Sequence, residues 1–260
     1  MQSTRSTLVL ATIDLSFHHA AAGAVQAILE KHGVSVVELR APHEEAFKLL
    51  EDGKADMLCS AWLPGSHEVY FAPIAKEFEK LTVLYHPYAL WGVPDFIPAA
   101  QVSAVADLTR PEVARRMNKV IQGINPGAGI SRFSVEILEH YGLTGLGYSF
   151  ENGSLDACVG AFERAVQNGD WVVVPLWQPQ YLFACYKIRE LSEPNGLLRG
   201  KDEATLVLRK SRLPDLPAAA IEELRATSLG NAEATRLDYL VSRGNMSAIE
   251  AGRNYLARRA

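Results

Sequence analysis

Short hydrophobic segments of strand length alternate with amphipathic segments of helix length along most of the chain. The hydrophobic segments predict strands at 8–13, 34–39, 55–62, 82–94 (one or two strands), 119–124, 171–177 and 205–209. The amphipathic segments predict helices at 19–32, 43–52, 70–80, 111–117, 131–141, 154–168, 217–227, 231–243 and 247–258. Alternation of this kind is typical of an α/β fold, and it predicts mainly parallel sheets.

The alternation runs through two successive series of about 100 residues each, which is the usual size of a domain. We therefore expect two lobes, the second inserted into the first. The first lobe is predicted over residues 1–90 and 190–260, and the second over 91–189. Ligands of open α/β sheets bind beyond the carboxyl ends of strands, and pockets form preferentially at domain interfaces, so we expect a ligand in the interdomain cleft.

The composition is that of an ordinary globular protein and narrows the function classes. The 260 residues are 48% hydrophobic and 22% charged, with a formal net charge of −4. This content is ample for a core, and the near balance of charge argues against a protein that binds nucleic acid or anionic membranes. The segment 1–7 is polar and shows no features of a signal peptide, which leaves open a cytoplasmic protein or a mature exported chain.

The three cysteines predict neither a disulfide framework nor a metal site. Cys59, Cys158 and Cys185 are widely spaced and form no CxxC pair or cysteine–histidine cluster. We expect each of them to be a small buried apolar residue.

Two tryptophans occupy matching positions at predicted strand ends. Trp62 lies in AWLPGSH at the end of the strand at 55–62, and Trp177 lies in PLWQPQY at the end of the strand at 171–177. In both, a proline two residues later turns the chain away, which favours an indole at the edge of the sheet. The alternative is that both indoles pack in the core, because tryptophan is highly buried on average. Trp171, which opens its strand, is expected to be structural.

A glycine-rich turn precedes a predicted helix in INPGAGISRFS. The backbone N–H groups of Gly127, Ala128 and Gly129 lie near the start of a helix expected at about Ser131. Such groups have no intrahelical partners and favour an anion the size of a carboxylate. A plain tight turn is the alternative, and Arg132 either pairs with the ligand's carboxylate or faces solvent or a neighbouring acid.

Further aromatic and polar residues lie at the ends of other predicted strands. LYHPYALWG contributes Tyr85, Tyr88 and Trp91, and the loop after the first strand contributes Phe17 and His18. The neighbouring pair His18 and His19 lacks the spacing of a metal site, so we expect a hydrogen bond to a ligand or a helix cap instead.

Aromatic faces combined with an anion-binding turn indicate a specific chemistry. Indole and phenol rings attract cations, and they suit quaternary ammonium groups, whose methyl groups cannot donate N–H hydrogen bonds. A carboxylate at the turn would complete the site. The pattern therefore predicts a small zwitterion of the betaine type as ligand.

Several segments resemble the glycine betaine, choline and proline betaine substrate-binding proteins of ABC transporters. The resemblance extends over nearly the whole chain and rests on ILEKHGV, DGKADMLCSAWLPGSHEVYF, INPGAGISRFSVEILEHYGL, WVVVPLWQPQYLFACYKIREL and NMSAIEAGRNYLARR. It implies a type II periplasmic-binding-protein-like fold of two lobes that close about a hinge, with no catalytic activity. It also implies export, although these relatives carry a signal peptide that this chain does not show.

The resemblance assigns roles to individual residues. It implies that Trp62 and Trp177 form an aromatic cage, with Tyr88 or Trp91 as its third wall, and that the turn at 127–129 contacts the ligand. Ala128 stands where some relatives have Trp or Asn, so only the backbone would contact the ligand there. Gln178 stands where some relatives have His and is expected to be a polar contact. Phe17 lies near the place where choline-binding relatives carry a Trp and an Asp, which weakens a choline interpretation.

The leading hypothesis is a monomeric solute-binding protein that delivers a quaternary ammonium compound to an ABC permease, without cofactor, metal or nucleic acid. A cytoplasmic sensor or sequestering protein with the same cleft is one alternative. An enzyme using His18, His19, His67 or His86 is another, but the chain has no G-x-S-x-G motif, metal motif or paired carboxylates at a strand end.

Overall fold

The computed structural model describes residues 7–259; residues 1–6 and 260, which the predicted first lobe includes, lie outside the described residues. The chain divides into two compact units. The first unit consists of Met1–Pro87, Pro179–Ala184 and Asp202–Ala260, and the second of Tyr88–Gln178 and Cys185–Lys201. The chain thus leaves the first unit twice and returns to it twice.

The first unit contains a five-stranded sheet in the order β2-β1-β3-β10-β4. Its strands are β1 (Thr7–Ile13), β2 (Ser35–Ala41), β3 (Met57–Leu63), β4 (Phe78–Val83) and β10 (Glu203–Arg209). Its helices are α1 (Ser16–Lys31), α2 (His43–Glu51), α3 (Glu68–Phe71), α7 (Leu182–Cys185, the last residue of which falls in the second unit), α8 (Ala218–Arg225), α9 (Gly230–Ser242) and α10 (Ala248–Arg259). Short 3₁₀ helices span Ala75–Glu77 and Lys210–Asp215.

The second unit contains a three-stranded sheet in the order β8-β5-β9 and a two-stranded sheet of β6 and β7. Its strands are β5 (Tyr88–Pro94), β6 (Val120–Gln122), β7 (Ser149–Glu151), β8 (Val174–Gln178) and β9 (Ile188–Glu190). Its helices are α4 (Pro111–Ala114), α5 (Gly129–His140) and α6 (Leu155–Asn168), with 3₁₀ helices at Val105–Thr109 and Leu143–Leu146.

The α/β class is confirmed, but the expectation of mainly parallel sheets is wrong. Within residues 7–259, β1 pairs in parallel with β2 and β3, and β6 with β7. The pairings of β10 with β3 and β4, and of β5 with β8 and β9, are antiparallel. Strand β10 enters the first sheet only after the chain has returned from the second unit, so no crossover helix fixes it parallel to its neighbours.

The prediction of a single helix over 70–80 is also wrong. Helix α3 ends at Phe71, a 3₁₀ turn follows, and residues from Phe78 onward form β4. Pro73 cannot donate a backbone hydrogen bond and prevents one helix from continuing through this segment. Two three-residue strands, β7 and β9, were not predicted, because so short a segment shows no clear alternation.

Two glycines allow helices α1 and α10 to pack closely. A Cβ atom on Gly23 would lie 1.9 Å from the carbonyl oxygen of Ala248, and one on Gly252 would lie 2.0 Å from that of Gly23. Any side chain at either position would therefore collide with backbone. Helix α1 is in addition rich in buried alanines, whose small side chains let neighbouring elements approach its backbone.

The cysteines differ in burial. Cys59 and Cys158 are buried, as predicted, whereas the prediction is wrong for Cys185, which is exposed at the end of the short helix α7. Within residues 7–259 no three side chains of His, Cys, Asp or Glu are grouped as metal ligands would be. In the same range, no helix has the length and hydrophobicity required to cross a membrane.

Candidate functional site

Trp62 lies near the carboxyl end of β3, where the following turn is fixed by side-chain hydrogen bonds. The backbone N–H of Trp62 donates to Nδ1 of His67 at 2.9 Å, and the His67 N–H donates to the Trp62 carbonyl at 2.8 Å. The N–H groups of Gly65 and Ser66 donate to the Asp202 carboxylate at 2.6 and 3.0 Å. The turn that the proline and glycine predict is therefore held at both ends, and Trp62 is oriented by it.

Four aromatic rings surround the Trp62 indole in the first unit. Its ring centroid lies 5.2 Å from Phe17, 5.4 Å from His18, 6.0 Å from His67 and 6.2 Å from Tyr85, the last at right angles. Phe17 and His18 lie in the first turn of α1, which follows β1, and β1 pairs with β3. We call Phe17, His18, Trp62, His67 and Tyr85 the first-unit aromatic cluster.

His18 is uncharged at neutral pH. Complete burial, followed by the nearby charges of His43 and His19, holds its pKa well below the usual range. Both ring nitrogens of His18 lack a hydrogen-bond partner among residues 7–259. The ring therefore adds an aromatic surface beside Trp62 without a positive charge.

Tyr85 orients the indole from the other side. The Trp62 indole N–H donates to the Tyr85 hydroxyl at 3.3 Å, and the Ser60 hydroxyl lies 3.4 Å from the same oxygen. Burial raises the pKa of the Tyr85 phenol, so the group stays neutral. The Trp62 side chain is thus fixed in one orientation by a satisfied indole N–H.

In the second unit, Trp91 and Trp177 occupy one face of the β8-β5-β9 sheet. Ala89 is opposite Trp177 and Trp91 is opposite Pro175, and directly opposite residues of antiparallel strands share a face. The two tryptophans are therefore diagonal neighbours. Tyr88 and Gln178, which are opposite each other, lie on the other face.

Trp91 and Tyr88 each form a hydrogen bond with another part of the second unit. The buried Trp91 indole N–H donates to the Ser134 hydroxyl on α5 at 2.9 Å. The Tyr88 hydroxyl donates to the Glu190 carboxylate at 2.8 Å, and burial together with this carboxylate raises the pKa of Tyr88 to about 12. Of the two candidates, Trp91 is the one that shares a face with Trp177.

The glycine-rich turn begins helix α5 two residues earlier than expected, at Gly129. Ala128 is the N-cap residue, and no side chain caps the helix there. The Arg132 guanidinium donates to the Gly127 carbonyl and so lies at the same turn. The first-turn amide groups, the helix dipole and this cation all favour a bound anion.

Trp171 has a different environment from the other tryptophans. It is buried, and the Arg116 guanidinium stacks on its ring at 3.7 Å from the centroid. A cation from the protein already occupies the face of this indole. This arrangement fits the structural role expected for Trp171.

The structure brings Phe17, His18 and Trp62 together within the first unit and gives Trp91 and Trp177 a common face within the second. The sequence placed Tyr85 in the neighbourhood of Trp62 but did not include it among the ligand-binding residues or predict its hydrogen bond to the indole. It indicated His67 only as a possible enzyme residue. The position of Tyr85 two residues beyond β4, which shares a sheet with β3, was the signal that could have indicated the contact.

A family model matches residues 6–258 of the chain. It is described as OpuAC, the substrate-binding domain of ABC-type glycine betaine transport systems. The match covers nearly every residue and includes both units.

Individual relatives are distant. The glycine betaine/carnitine transport binding protein GbuC of Listeria monocytogenes is 23% identical over 110 residues, which are 42% of this chain and 37% of that protein. Lactococcal OpuAC, in a closed conformation complexed with glycine betaine, has a TM-score of 0.85 at 22% identity, covering 98% of this chain and 96% of that chain. ProX of Borrelia burgdorferi, a glycine betaine/L-proline-binding protein, has a TM-score of 0.84 at 19% identity, covering 97% and 93%. These likenesses establish the fold, which is that of two-lobed binding proteins.

Proposed function

Because the chain belongs to the family of substrate-binding domains of ABC-type glycine betaine transport systems, we propose that it binds a quaternary ammonium compound of the glycine betaine type and presents it to an ABC permease. The family consists of binding domains, so the chain is a binding protein and not an enzyme. A cytoplasmic sensor is not favoured, because the family serves transport.

The first-unit aromatic cluster is the observation that carries the proposal. Its His18 and Tyr85 rings are neutral, since burial keeps His18 unprotonated and the Tyr85 phenol protonated. Each aromatic face that meets a desolvated cation contributes about 2 kcal/mol. A trimethylammonium group matches such a surface in charge and in its apolar methyl groups, whereas a primary ammonium would lose hydrogen bonds to water without replacement.

In the second unit we propose Trp177 as the ligand-binding aromatic residue. Trp91 lies on the same face, and its hydrogen bond to Ser134 connects that face to α5. The turn at Gly127, Ala128 and Gly129 is proposed to bind the ligand's carboxylate through backbone N–H groups. Gln178 and Tyr88, on the opposite face of the sheet, are the weaker candidates, and Tyr88 is already bonded to Glu190.

Three further assignments concern location, oligomeric state and the roles of the two units. We propose an extracytoplasmic location, periplasmic in an organism with an outer membrane, and a monomer as the working state. The two compact units are proposed to act as the two lobes expected at 1–90 with 190–260 and at 91–189.

Isothermal titration calorimetry of the purified chain tests the proposed function. Glycine betaine is titrated first, and glycine serves as the matched control because it keeps the carboxylate and lacks the methyl groups. We expect saturable binding of glycine betaine and none of glycine at the same concentrations. Choline is titrated as a second quaternary ammonium compound. Equal binding of glycine betaine and glycine would refute the proposal, and so would the absence of binding of both glycine betaine and choline.

A further inference from the structure

Asp238 is a buried carboxyl group close to the first-unit aromatic cluster. It lies on α9, and its side chain is fully shielded from solvent. Its carboxylate accepts the backbone N–H of Tyr181 at 2.7 Å and the hydroxyl of Ser242 at 3.1 Å. Within residues 7–259 no lysine, arginine or histidine pairs with it, so its negative charge is uncompensated.

The groups around Asp238 connect it to the proposed ligand site on two sides. Tyr181 lies in the segment Pro179–Ala184, which follows Trp177 and Gln178 directly in the chain. The Ser16 hydroxyl, at the first residue of α1, is also a neighbour and favours the carboxylate form. Ser16 precedes Phe17 and His18, so Asp238 lies beside the turn that presents both rings to Trp62.

Two further groups complete the electrostatic environment. The carboxylate lies close enough to Tyr85 for its charge to raise the pKa of that phenol, and the Tyr85 hydroxyl accepts the Trp62 indole N–H. Arg243 lies at the end of α9, five residues after Asp238. Its guanidinium donates to the Tyr181 hydroxyl at 3.3 Å and stacks on the Tyr181 ring. Among residues 7–259, the contacts thus connect Asp238 to the titratable groups Tyr85 and Tyr181, and through Tyr181 to the charged Arg243.

We propose that Asp238 is a positioning residue that holds the Tyr181 segment and the start of α1, and that the binding of a quaternary ammonium ligand at Trp62 is linked to the loss of a proton from this carboxyl. The inference rests on the proposed function and adds a regulation of the same site. The ionised carboxylate attracts the cation and strengthens the hydrogen bond from the Tyr181 amide, because charge-assisted hydrogen bonds are the stronger ones.

The titration range makes the linkage measurable. Burial raises the pKa of Asp238 to about 6 in the ligand-free chain, against the opposing effects of Ser16, Tyr181 and Ser242. A bound cation favours the ionised form and therefore lowers that pKa. Affinity is then highest above about pH 6 and falls as the pH drops below it.

The test is calorimetric titration of glycine betaine between pH 5 and pH 8. For a difference of about one unit between the pKa of Asp238 in the free and the bound protein, affinity falls nearly tenfold as the pH falls through both values. Near pH 5.5, titrations in two buffers of different ionisation enthalpy are expected to show the release of about half a proton per ligand bound. Affinity that is constant or rises toward pH 5 would overturn the inference.

Two variants separate this role from a merely structural one. Asp238→Asn keeps an acceptor for the Tyr181 amide and removes the titration, so its affinity is expected to be independent of pH in this range, without proton release. Asp56→Asn is the matched control: Asp56 accepts the Val9 N–H at 2.9 Å and precedes β3, about 20 Å along the strand from Trp62. Its pH profile is expected to match that of the wild type.

The outcomes distinguish this inference from the proposed function. Binding at pH 8 with a pH-independent affinity, or an unchanged pH profile in Asp238→Asn, refutes the linkage and leaves the proposed function standing. If Asp238→Asn does not fold, proton release by the wild type still decides the question. Absence of binding at every pH refutes the proposed function and the linkage with it.

Discussion

Replacing Trp62 by leucine is expected to weaken ligand binding far more than it disturbs the fold. Leucine keeps an apolar side chain near the end of β3 but removes the aromatic face and the indole N–H that donates to Tyr85. A desolvated cation–π contact contributes about 2 kcal/mol, so the dissociation constant for glycine betaine is expected to rise about 30-fold. Trp62→Phe keeps an aromatic face, so its dissociation constant is expected to lie between those of the wild type and Trp62→Leu.

The cost in stability has to be separated from the loss of affinity. Trp62 is buried among the rings of Phe17, His18 and Tyr85. Complete truncation of a buried tryptophan costs about 3–5 kcal/mol, and the change to leucine is expected to cost about 2 kcal/mol in the free energy of unfolding. Chemical denaturation measures this cost, and calorimetry of the folded variant measures affinity.

Trp171→Leu is the matched control for this experiment. Trp171 is a tryptophan of similar burial whose ring is covered by Arg116. Its replacement is expected to lower stability by a similar amount and to change affinity less than twofold. An affinity of Trp62→Leu within twofold of the wild type, or an equal loss of affinity in Trp171→Leu, would refute the reasoning.

Three further variants test other parts of the account. Trp177→Leu is expected to raise the dissociation constant for glycine betaine at least fivefold, and an unchanged value by calorimetry would remove Trp177 from the site. Tyr85→Phe leaves the Trp62 indole N–H without its acceptor and is expected to lower the free energy of unfolding by about 1–2 kcal/mol; denaturation with no change would contradict that hydrogen bond. The raised pKa of Asp238 destabilises the fold above about pH 6 and not below about pH 4. The stability of Asp238→Asn relative to the wild type is therefore expected to increase by about 3 kcal/mol between those pH values, and a constant difference in denaturation experiments would contradict the raised pKa.

Local sequence signals were sufficient where neighbouring residues alone determine the structure. Pro64 and Gly65 predict the turn after Trp62, and the glycine-rich turn predicts the start of α5 to within two residues. The segment 70–80 was predicted wrongly, because its helical periodicity outweighed the proline at 73. The local periodicity there favours a helix, but pairing with the five-stranded sheet makes the residues from Phe78 onward a strand.

Contacts between distant segments could not be read from the sequence. Tyr85 meets Trp62 only because β4 and β3 belong to one sheet, with β10 between them. The burial of Asp238 depends on the packing of α9 against segments far away in the chain, and an aspartate in an amphipathic helix usually faces solvent. Its role becomes visible only when the Tyr181 amide is seen to donate to it.

The central claim is that neutral aromatic faces around Trp62 hold the ligand's ammonium group. A crystal structure of the chain with glycine betaine tests it most directly. The account predicts the trimethylammonium group within about 6 Å of the Trp62 ring centroid, with its methyl groups against the first-unit aromatic cluster. A ligand whose ammonium group pairs with a carboxylate elsewhere, and leaves Trp62 without contact, would contradict the claim.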